Sequence, residues 1–249
     1  MMKTITSKQN ERIKFLKKQK ENNRFLLFLD NPKLVEEAIK SNFKPTEIFI
    51  DETNKDLINI YQNKFDITLT NEIVIKQLSD VKTPQGIVGV FEFSPKSLKL
   101  PSKNFLVLDN IQDAGNVGTI LRSALGANFL DVYLIDCASL TSSKTIRSSM
   151  GAIFKLNIYE TTKQEFLSFA KTLKTPLYYA DMQGENIYKT SFKNPCGIVL
   201  GNEGNGVCSE LKNICQKAVS IPMQNKLESL NVAVAGSVII FEVGWKQSI

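Results

Sequence analysis

The side chains of this chain that could do chemistry are polar residues in three loops, and none of them is a histidine. The absence of histidine excludes Ser-His-Asp triads, histidine general bases and histidine metal ligands. Chemistry must therefore rely on arginine, lysine, carboxylates, hydroxyls or amides, and we expect no metal site. The residues that we single out as catalytic candidates are Asn116, Arg122, Glu203, Ser229 and Asn231.

The first loop lies in the segment DNIQDAGNVGTILRSA, residues 109–124. It follows an apolar run, passes two glycines and enters a helical pattern that carries Arg122, six residues after Asn116. Glycines allow a ligand to approach the backbone closely, and a helix start offers free N–H groups. Taken alone, the segment could be any strand–turn–helix, and Arg122 could be a surface residue.

The second loop, in GIVLGNEGNGV at 197–207, places Glu203 among three glycines. It lacks the GxGxxG spacing of a dinucleotide-binding turn, and a glycine-rich turn with a solvated glutamate is the alternative. The third loop, in residues 220–243, leaves a strand at Pro222 and enters an apolar helix near Leu230. Ser229 is a candidate N-cap of that helix, but capping does not explain the whole ESLN group.

Short apolar strands that alternate with helices must position these loops, and they predict an α/β protein. In the first part we expect strands at 25–29, 47–50 and 86–93, and helices at 7–20 (with Ser7 as N-cap), 32–40, 57–63 and 73–78. In the second part we expect strands at 105–108, 131–135, 177–180, 197–200 and 218–221, and helices at 116–125, 144–154, 207–215 and 230–245. Such a mostly parallel sheet, covered on both faces, binds ligands at the carboxyl ends of its strands.

A polar segment with two prolines separates the two parts, which predicts a linker at 95–104 between domains at 1–94 and 105–249. Four cysteines without CxxC spacing indicate reduced thiols. There is no apolar run of about 18–20 residues and no signal-peptide pattern. We therefore expect a cytoplasmic protein that does not enter a membrane.

The positive charge is concentrated at the start of the chain. Residues 1–24 carry eight lysines and arginines and two glutamates, which accounts for the whole formal net charge of +6. The basic helix predicted at 7–20 is therefore either a solvated surface or a binding site for nucleic-acid phosphates. The candidates for phosphate contact are Lys14, Lys17, Lys18, Lys20 and Arg24.

In order and spacing, the three loops resemble the motifs of the SPOUT superfamily of RNA methyltransferases, in its SpoU (TrmH-like) branch of 2′-O-ribose methylases. GNVG with Arg122 is similar to the first motif, LGNEG at 200–204 to the second, and the stretch from IPM to ESLN at 221–231 to the third. DNPKLVEEA at 30–38 and TPQGIVGV at 83–90 resemble the substrate-binding domain that precedes the catalytic domain in this branch. The chain departs from the family pattern at Ala114, at Asp30–Asn31 and at Asn225.

The resemblance implies a C-terminal, mostly parallel sheet with helices on both faces and a deep trefoil knot, preceded by a small α/β substrate-binding domain. It implies methyl transfer from S-adenosylmethionine to a ribose 2′-hydroxyl of RNA, with ribosomal RNA favoured over transfer RNA, by a homodimer. A non-catalytic RNA-binding paralogue is the alternative. The residues implied in cofactor binding are Leu200, Gly201, Ile221, Met223 and Leu230.

The resemblance also implies that Arg122 lies next to the 2′-hydroxyl as general base, with the other four polar candidates orienting it and the nucleotide. Arginine side chains have pKa values above about 12 and rarely lose a proton in proteins. Arg122 could instead bind a phosphate or stabilise the developing alkoxide. As the one carboxylate of the set, Glu203 is the expected ion-pair partner of Arg122.

Overall fold

The computed structural model describes residues 3–23, 25–224 and 229–246. These residues form two compact units. Unit 1 comprises the described residues up to 94 together with 141–146, and unit 2 comprises those of 95–140 and 147–249. Residues 95–104 group with unit 2. None of the helices in the described ranges is long and apolar enough to cross a membrane.

Unit 1 is built on a five-stranded sheet with the strand order β1-β4-β3-β5-β2. Its elements are β1 (Lys3–Ile5), α1 (Glu11–Asn22), β2 (Leu26–Leu29), α2 (Pro32–Lys40), β3 (Pro45–Asp51), α3 (Lys55–Tyr61), β4 (Ile67–Thr70), α4 (Glu72–Leu78) and β5 (Ile87–Glu92). Only β5 runs antiparallel to its neighbours. Helices α1 and α4 pack together on one face of the sheet, where Ile13 and Leu16 are buried with Val88 and Val90.

Helix α1 begins later than predicted, and Ser7 is not its N-cap. The Ser7 hydroxyl accepts the N–H of Gln9 in a turn, at 3.1 Å. The side chain of Asn10 instead accepts the N–H of Arg12, at 2.9 Å. Because serine and asparagine both cap helices well, the sequence pattern did not show which of the two residues is the N-cap of α1. The short strands β1 and β4 were not predicted.

The remainder of the chain forms a six-stranded sheet with the order β11-β9-β10-β6-β7-β8. The elements from residue 105 onward are β6 (Phe105–Asp109), α5 (Ala114–Gly126), β7 (Asp131–Ile135), α6 (Ser143–Ser149), β8 (Asn157–Thr161), α7 (Lys163–Ala170), β9 (Leu177–Asn186), β10 (Gly197–Leu200), α8 (Ser209–Lys212), β11 (Lys217–Ser220) and α9 (Val232–Lys246). Residues 143–146 of α6 group with unit 1. All strand pairs in this sheet are parallel. The predicted α/β class with a parallel sheet is confirmed.

Two predicted helices are shorter in the structure. The helix expected at 144–154 ends at Ser149, because Met150 and Gly151 adopt left-handed backbone conformations with φ of 49° and 85°. A 3-10 turn at Ala152–Phe154 follows. The helix expected at 207–215 is reduced to α8, and β8 and α7 were not predicted. Residues before α8 are extended because the N–H of Cys208 donates to the Asp109 carboxylate, at 2.8 Å.

The parallel order brings the three polar loops to one edge of the sheet. Strands β6 and β10 are direct neighbours, and β11 is separated from β10 only by β9. Helix α9 packs tightly on this region, because a Cβ added at Gly236 would lie 2.4 Å from Cδ1 of Leu200. Leu106, Val107 and Leu108 of β6 are fully buried, which stabilises the sheet by roughly 1.5–3 kcal/mol for each side chain.

Candidate active site

Asn116, Glu203 and Asn231 form one hydrogen-bonded chain at the carboxyl edge of the unit 2 sheet, which we name the amide chain. Asn116 Nδ2 donates to Glu203 Oε1 at 3.0 Å, and Asn231 Nδ2 donates to Asn116 Oδ1 at 3.0 Å. Asn231 Oδ1 in turn accepts the N–H groups of Ala233 at 2.9 Å and Val234 at 3.3 Å. The amide chain thus connects three loops that are 87 and 115 positions apart.

The direction of every bond in the amide chain is fixed by its two ends. A carboxylate can only accept hydrogen bonds, so Asn116 must turn its NH₂ group to Glu203 and its oxygen to Asn231. The N–H groups at the start of α9 orient Asn231 in the same way. The amide chain therefore runs from the positive end of a helix dipole to a negative carboxylate. Each amide uses one of its two N–H groups here, which leaves the second for a ligand.

Glu203 is held as a carboxylate. Burial acts to raise its pKa, but hydrogen bonds from Asn116 and from the N–H groups of Asp113 and Gln112 outweigh burial and lower it. The two backbone donors lie 3.4 Å from the carboxylate oxygens. An ionised glutamate with a lowered pKa is a good acceptor and a poor proton donor at neutral pH.

Asn202 joins the first two loops, although the sequence analysis did not single it out. Its Nδ2 donates to the carbonyl of Asn110 at 2.8 Å, and its Oδ1 accepts the N–H of Gly204 at 2.9 Å. Two backbone segments pass very close to each other here: a Cβ added at Gly201 would lie 2.2 Å from the backbone of Gly206. Only glycine fits at position 201 without a shift of the backbone. An asparagine directly after a parallel strand was the signal that could have identified Asn202.

Gln112 and Asp113 also support the site and were not predicted. Gln112 Nε2 donates to the carbonyl of Asp136 at 2.8 Å, which connects the loops after β6 and β7. The carboxylate of Asp113 accepts the N–H of Asn116 at 2.9 Å and caps α5. This cap explains why α5 begins at Ala114 rather than at Asn116 as predicted, and it fixes the backbone that carries the Asn116 amide.

Arg122 lies outside the amide chain. It is exposed and forms no hydrogen bond or ion pair with another residue in the described ranges. Six residues on a helix with 3.6 residues per turn correspond to about 240° of rotation, so Arg122 and Asn116 lie on different sides of α5. The predicted pair of Glu203 with Arg122 is wrong, because Asn116 and two backbone N–H groups occupy the Glu203 carboxylate.

Ser229 does not cap α9, so this prediction is also wrong. The cap is Asn231, whose side-chain oxygen reaches the N–H groups two and three residues ahead. This is the ordinary geometry of an N-cap, whereas Ser229 lies two residues before the cap. Ser229 is exposed at the edge of the described part of the third loop.

The predicted cofactor residues lie at the end of β10, just after β11 and, in the case of Leu230, just before α9. Leu200 and Gly201 are buried, Ile221 and Leu230 are half-buried, and Met223 is 38% exposed. Since β10 and β11 both pair with β9 in parallel, their carboxyl ends share one edge of the sheet. The Leu200 side chain is covered by Gly236 of α9, which leaves the backbone at 200–201 as its possible contact with a ligand.

The five basic residues predicted to contact phosphates differ in their exposure and in their ion pairs. Lys14, Lys17 and Lys18 are exposed and form no ion pair within the part of the chain that the structure describes. Lys20 forms an ion pair with Asp80 at 2.8 Å and donates to the carbonyl of Leu78 at 2.7 Å. Lys20 therefore ties α1 to the segment after α4. Arg24 lies outside the described residues.

An apolar stripe on α9 forms a second exposed feature of unit 2. Val234 and Phe241 are each 50% exposed and Trp245 is 69% exposed, at the heptad-like spacing that places them on one face of a helix. A cleft of about 550 Å³ continues this face at the ends of α5 and α9, and Tyr188 and Gly126 help to line it. Large exposed apolar patches usually mark an interaction surface.

Comparison with known proteins places this geometry in a family. Residues 103–241 match the model of the SpoU rRNA Methylase family, and residues 8–89 match the MRM3-like substrate binding domain. The 23S rRNA (guanosine(2553)-2′-O)-methyltransferase RlmP of Bacillus subtilis is 29% identical, over 97% of this chain and 99% of its own length. Human mitochondrial rRNA methyltransferase 3 is 26% identical, over 87% of this chain and 66% of its own length.

Solved structures share the fold over the whole chain. An S-adenosylmethionine-bound rRNA methyltransferase from Sinorhizobium meliloti has a TM-score of 0.87 at 23% identity and covers 100% of this chain and 99% of its own. A structure from Porphyromonas gingivalis, described as a putative RNA methyltransferase of the TrmH family, has a TM-score of 0.81 at 27% identity, over 94% of this chain and 97% of its own. The chain therefore belongs to the SpoU rRNA Methylase family, as the order of its three motifs predicted.

Proposed function

We propose that this protein transfers the methyl group of S-adenosylmethionine to a ribose 2′-hydroxyl of large-subunit ribosomal RNA. The observation that carries the proposal is the amide chain, which brings Asn116, Glu203 and Asn231 from three distant loops to one edge of the sheet. The family supports the enzyme class and the cofactor. The RlmP relative, which is matched over nearly its whole length and named for a guanosine of 23S rRNA, supports the choice of RNA.

The cofactor binds at the backbone that ends β10 and begins the loops after β10 and β11. Main-chain N–H and C=O groups can read the adenine edge while apolar side chains enclose the ring. The residues present fit this requirement, since Ile221, Leu230 and Met223 supply half-buried or exposed apolar surface next to irregular backbone. The bound cofactor supplies an electrophilic methyl group on a positively charged sulfur.

The residues of the chain bind and orient the ribose. They would hold the 2′-hydroxyl against the methyl group that the cofactor supplies, and the proton of that hydroxyl leaves to solvent. Arg122 stabilises the oxygen as negative charge develops on it, which its exposed guanidinium can do without giving up a proton. The free N–H groups of Asn116 and Asn231 hold the sugar or its phosphate. Ser229 adds a hydroxyl to the third loop, which also carries Asn231. Positioning of this kind contributes several kcal/mol to such reactions.

The two parts of the chain share this work. Residues 1–94 bind the RNA and residues 105–249 transfer the methyl group, with 95–104 connecting them. The match of residues 8–89 to a substrate-binding domain supports the first assignment. Lys14, Lys17 and Lys18 remain the candidates for phosphate contact, whereas the ion pair of Lys20 with Asp80 favours a structural role.

The active form is a homodimer in which the α9 apolar stripe packs against a second copy. The stripe supports this because Val234, Phe241 and Trp245 expose large apolar surface that a monomer leaves in water. Arg122 supports it too, because it has no partner among the described residues of its own chain. The protein works in the cytoplasm, which its four free cysteines support. The deep trefoil knot remains a prediction from the resemblance.

A direct assay tests the proposal. The purified protein is incubated with transcribed 23S rRNA and S-adenosylmethionine carrying a tritiated methyl group, and the RNA is then digested to nucleosides. We expect label in a 2′-O-methylnucleoside, with transfer RNA as a poorer acceptor. Label in a base, or no label together with no binding of S-adenosylmethionine by calorimetry, contradicts the proposal. The second result would instead support a non-catalytic RNA-binding paralogue.

A further inference from the structure

We propose that the outer face of α1 holds an unpaired base of the RNA on the Phe15 ring, between phosphates bound by Lys14 and Lys18. This inference rests on the proposed function, since it takes RNA as the substrate. Compared with the basic residues that the sequence predicts to contact phosphates, this proposal adds an aromatic contact and leaves out Lys20. The surface consists of Lys14, Phe15 and Lys18, and we name it the α1 face.

Phe15 is an exception in its helix. The inner side of α1 buries Ile13 and Leu16, each only 1% exposed, and so provides the packing that attaches the helix to the sheet. Phe15 is 49% exposed, and burial in the core does not explain its position. An aromatic ring in water offers a flat face on which a nucleic-acid base can stack.

The side chains around Phe15 are arranged for an anionic, stacked ligand. Lys14 and Lys18 lie one helical turn apart and Phe15 lies one turn before Lys18, so the three side chains are neighbours on the helix surface. Arg12 covers one side of the ring, with its Cζ 5.1 Å from the ring centroid. An ion pair with Glu47 holds Arg12 there. The other side of the ring remains for a base.

The positively charged ammonium groups of the α1 face are available to bind phosphate. Lys14 and Lys18 are exposed, and no ion pair holds them among the residues that the structure describes. Lys20, two residues further, points inward and is tied to Asp80 and to the carbonyl of Leu78. Cationic side chains next to an exposed ring are the combination that proteins use for single-stranded nucleic acid.

Unit 1 offers matched controls on the other face of its sheet. Ile60 of α3 has the same exposed fraction as Phe15, 49%. Lys33 and Lys64 are exposed lysines on or next to α2 and α3. The controls therefore remove an apolar side chain of the same fractional exposure and the same charge, at positions away from α1.

The test measures binding of the full-length protein to two fluorescent 12-mers by anisotropy, one of uridylates and one of abasic sugar-phosphates. We expect Phe15→Ala to weaken binding to the uridylate strand about tenfold and to leave the abasic strand unchanged, with Phe15→Tyr close to the wild type. The Lys14→Ala/Lys18→Ala variant should weaken both strands and reduce the slope of log Kd against log salt by about 1.4. Ile60→Ala and Lys33→Ala/Lys64→Ala should bind like the wild type.

Equal binding of Phe15→Ala and the wild type to uridylates would overturn the stacking contact, and so would equal losses on both strands. No measurable binding of the wild type to either strand also counts against the α1 face. Thermal unfolding of each variant shows whether a loss reflects misfolding, and Phe15→Tyr keeps the test valid if Phe15→Ala is unstable. Methyl transfer to 23S rRNA by the wild type is scored separately, so failure of the proposed function is distinguished from failure of this contact.

Discussion

Both units carry asparagines between the end of a strand and the first turn of the helix that follows, yet they use them differently. In unit 1 each of these asparagines caps the helix that follows it. The side chains of Asn10, Asn31, Asn54 and Asn71 accept backbone N–H groups two or three residues ahead. In unit 2, Asn116 leaves the capping of α5 to Asp113, and its amide bonds to side chains of two other loops.

This difference separates a structural asparagine from a candidate functional one. An N-cap contributes about 1 kcal/mol to one helix, and its effect is local. An amide that bonds across loops fixes their relative positions, which a reaction at a sheet edge requires. Asn231 does both, since it caps α9 and donates to Asn116. Four substitutions test this difference, in order of decreasing expected effect.

Replacement of Arg122 by alanine tests whether the amide chain serves a reaction at all. We expect Arg122→Ala to lose at least about a hundredfold in methyl transfer, because the group that stabilises the oxygen is removed. Binding of S-adenosylmethionine should remain, since Arg122 lies outside the predicted cofactor residues. The measurement is single-turnover methylation of rRNA together with calorimetry. Thr119→Ala, an exposed change one turn earlier on α5, is the control and should keep wild-type turnover; full activity of Arg122→Ala would refute the assignment.

The Asn116→Asp substitution removes one bond of the amide chain, the one that Asn116 donates to Glu203. It places a second carboxylate 3.0 Å from Glu203, so like charges repel and the donor is lost. We expect kcat/KM to fall about tenfold to a hundredfold, with a smaller loss at low pH, where the two carboxylates can share a proton. The matched change Asn54→Asp in unit 1 should have no effect, because aspartate caps a helix as well as asparagine does. A pH-independent loss would contradict this account.

The Asn231→Asp substitution divides the two roles of that residue. Aspartate keeps the cap on α9 but cannot donate to Asn116. We expect thermal stability to change little, while the KM for S-adenosylmethionine rises several-fold as the third loop loses its contact. Asn231→Ala should lower both stability and affinity. If Asn231→Asp behaves like the wild type in steady-state kinetics, the bond between the two asparagines has no function.

The Glu203→Gln substitution has the smallest expected effect on stability. The pKa of Glu203 is lowered in the folded protein from its ordinary value of 4.5. The carboxylate therefore stabilises the fold above that pH, and this contribution disappears as the pH falls through the folded-state pKa. We expect a loss of less than about 1 kcal/mol at pH 7, because the group is exposed and screened, and a smaller loss at pH 3. Urea unfolding of both proteins at the two pH values measures this; equal stability at pH 7 would show that the bonds to Glu203 contribute nothing.

Much of the fold followed from local patterns. Strands β7 and β10 have the predicted bounds, and α2 begins at Pro32 as predicted, because apolar runs and a proline at the helix start are local signals. The positions where predicted helices end early or begin late were less predictable. The left-handed backbone at Met150 ends a helix at a residue type that rarely adopts it, and the loss of the helix at 207–208 depends on a bond from Cys208 to Asp109, 99 positions away.

Within the site, the sequence identified Asn116, Glu203 and Asn231 by type and motif, but it assigned Glu203 the wrong partner. Opposite charge favours an arginine for a glutamate, and nothing local indicates that an asparagine would take its place. Gln112 and Asn202 were missed for a similar reason, because their partners are carbonyl groups of the backbone. The backbone partners of such contacts have no sequence signature, although the position of Asn202 directly after a parallel strand does mark it as a candidate.

The sequence alone determined the class of chemistry and the candidates for it, because the absence of histidine and the order of three motifs are properties of the chain itself. It also determined the parallel α/β fold, since short apolar strands and helices alternate along the chain. Tertiary structure decided which polar groups meet. The direction of the amide chain and the separation of Arg122 from Glu203 depend on distances between loops, and these distances are set by the strand order rather than by spacing along the chain.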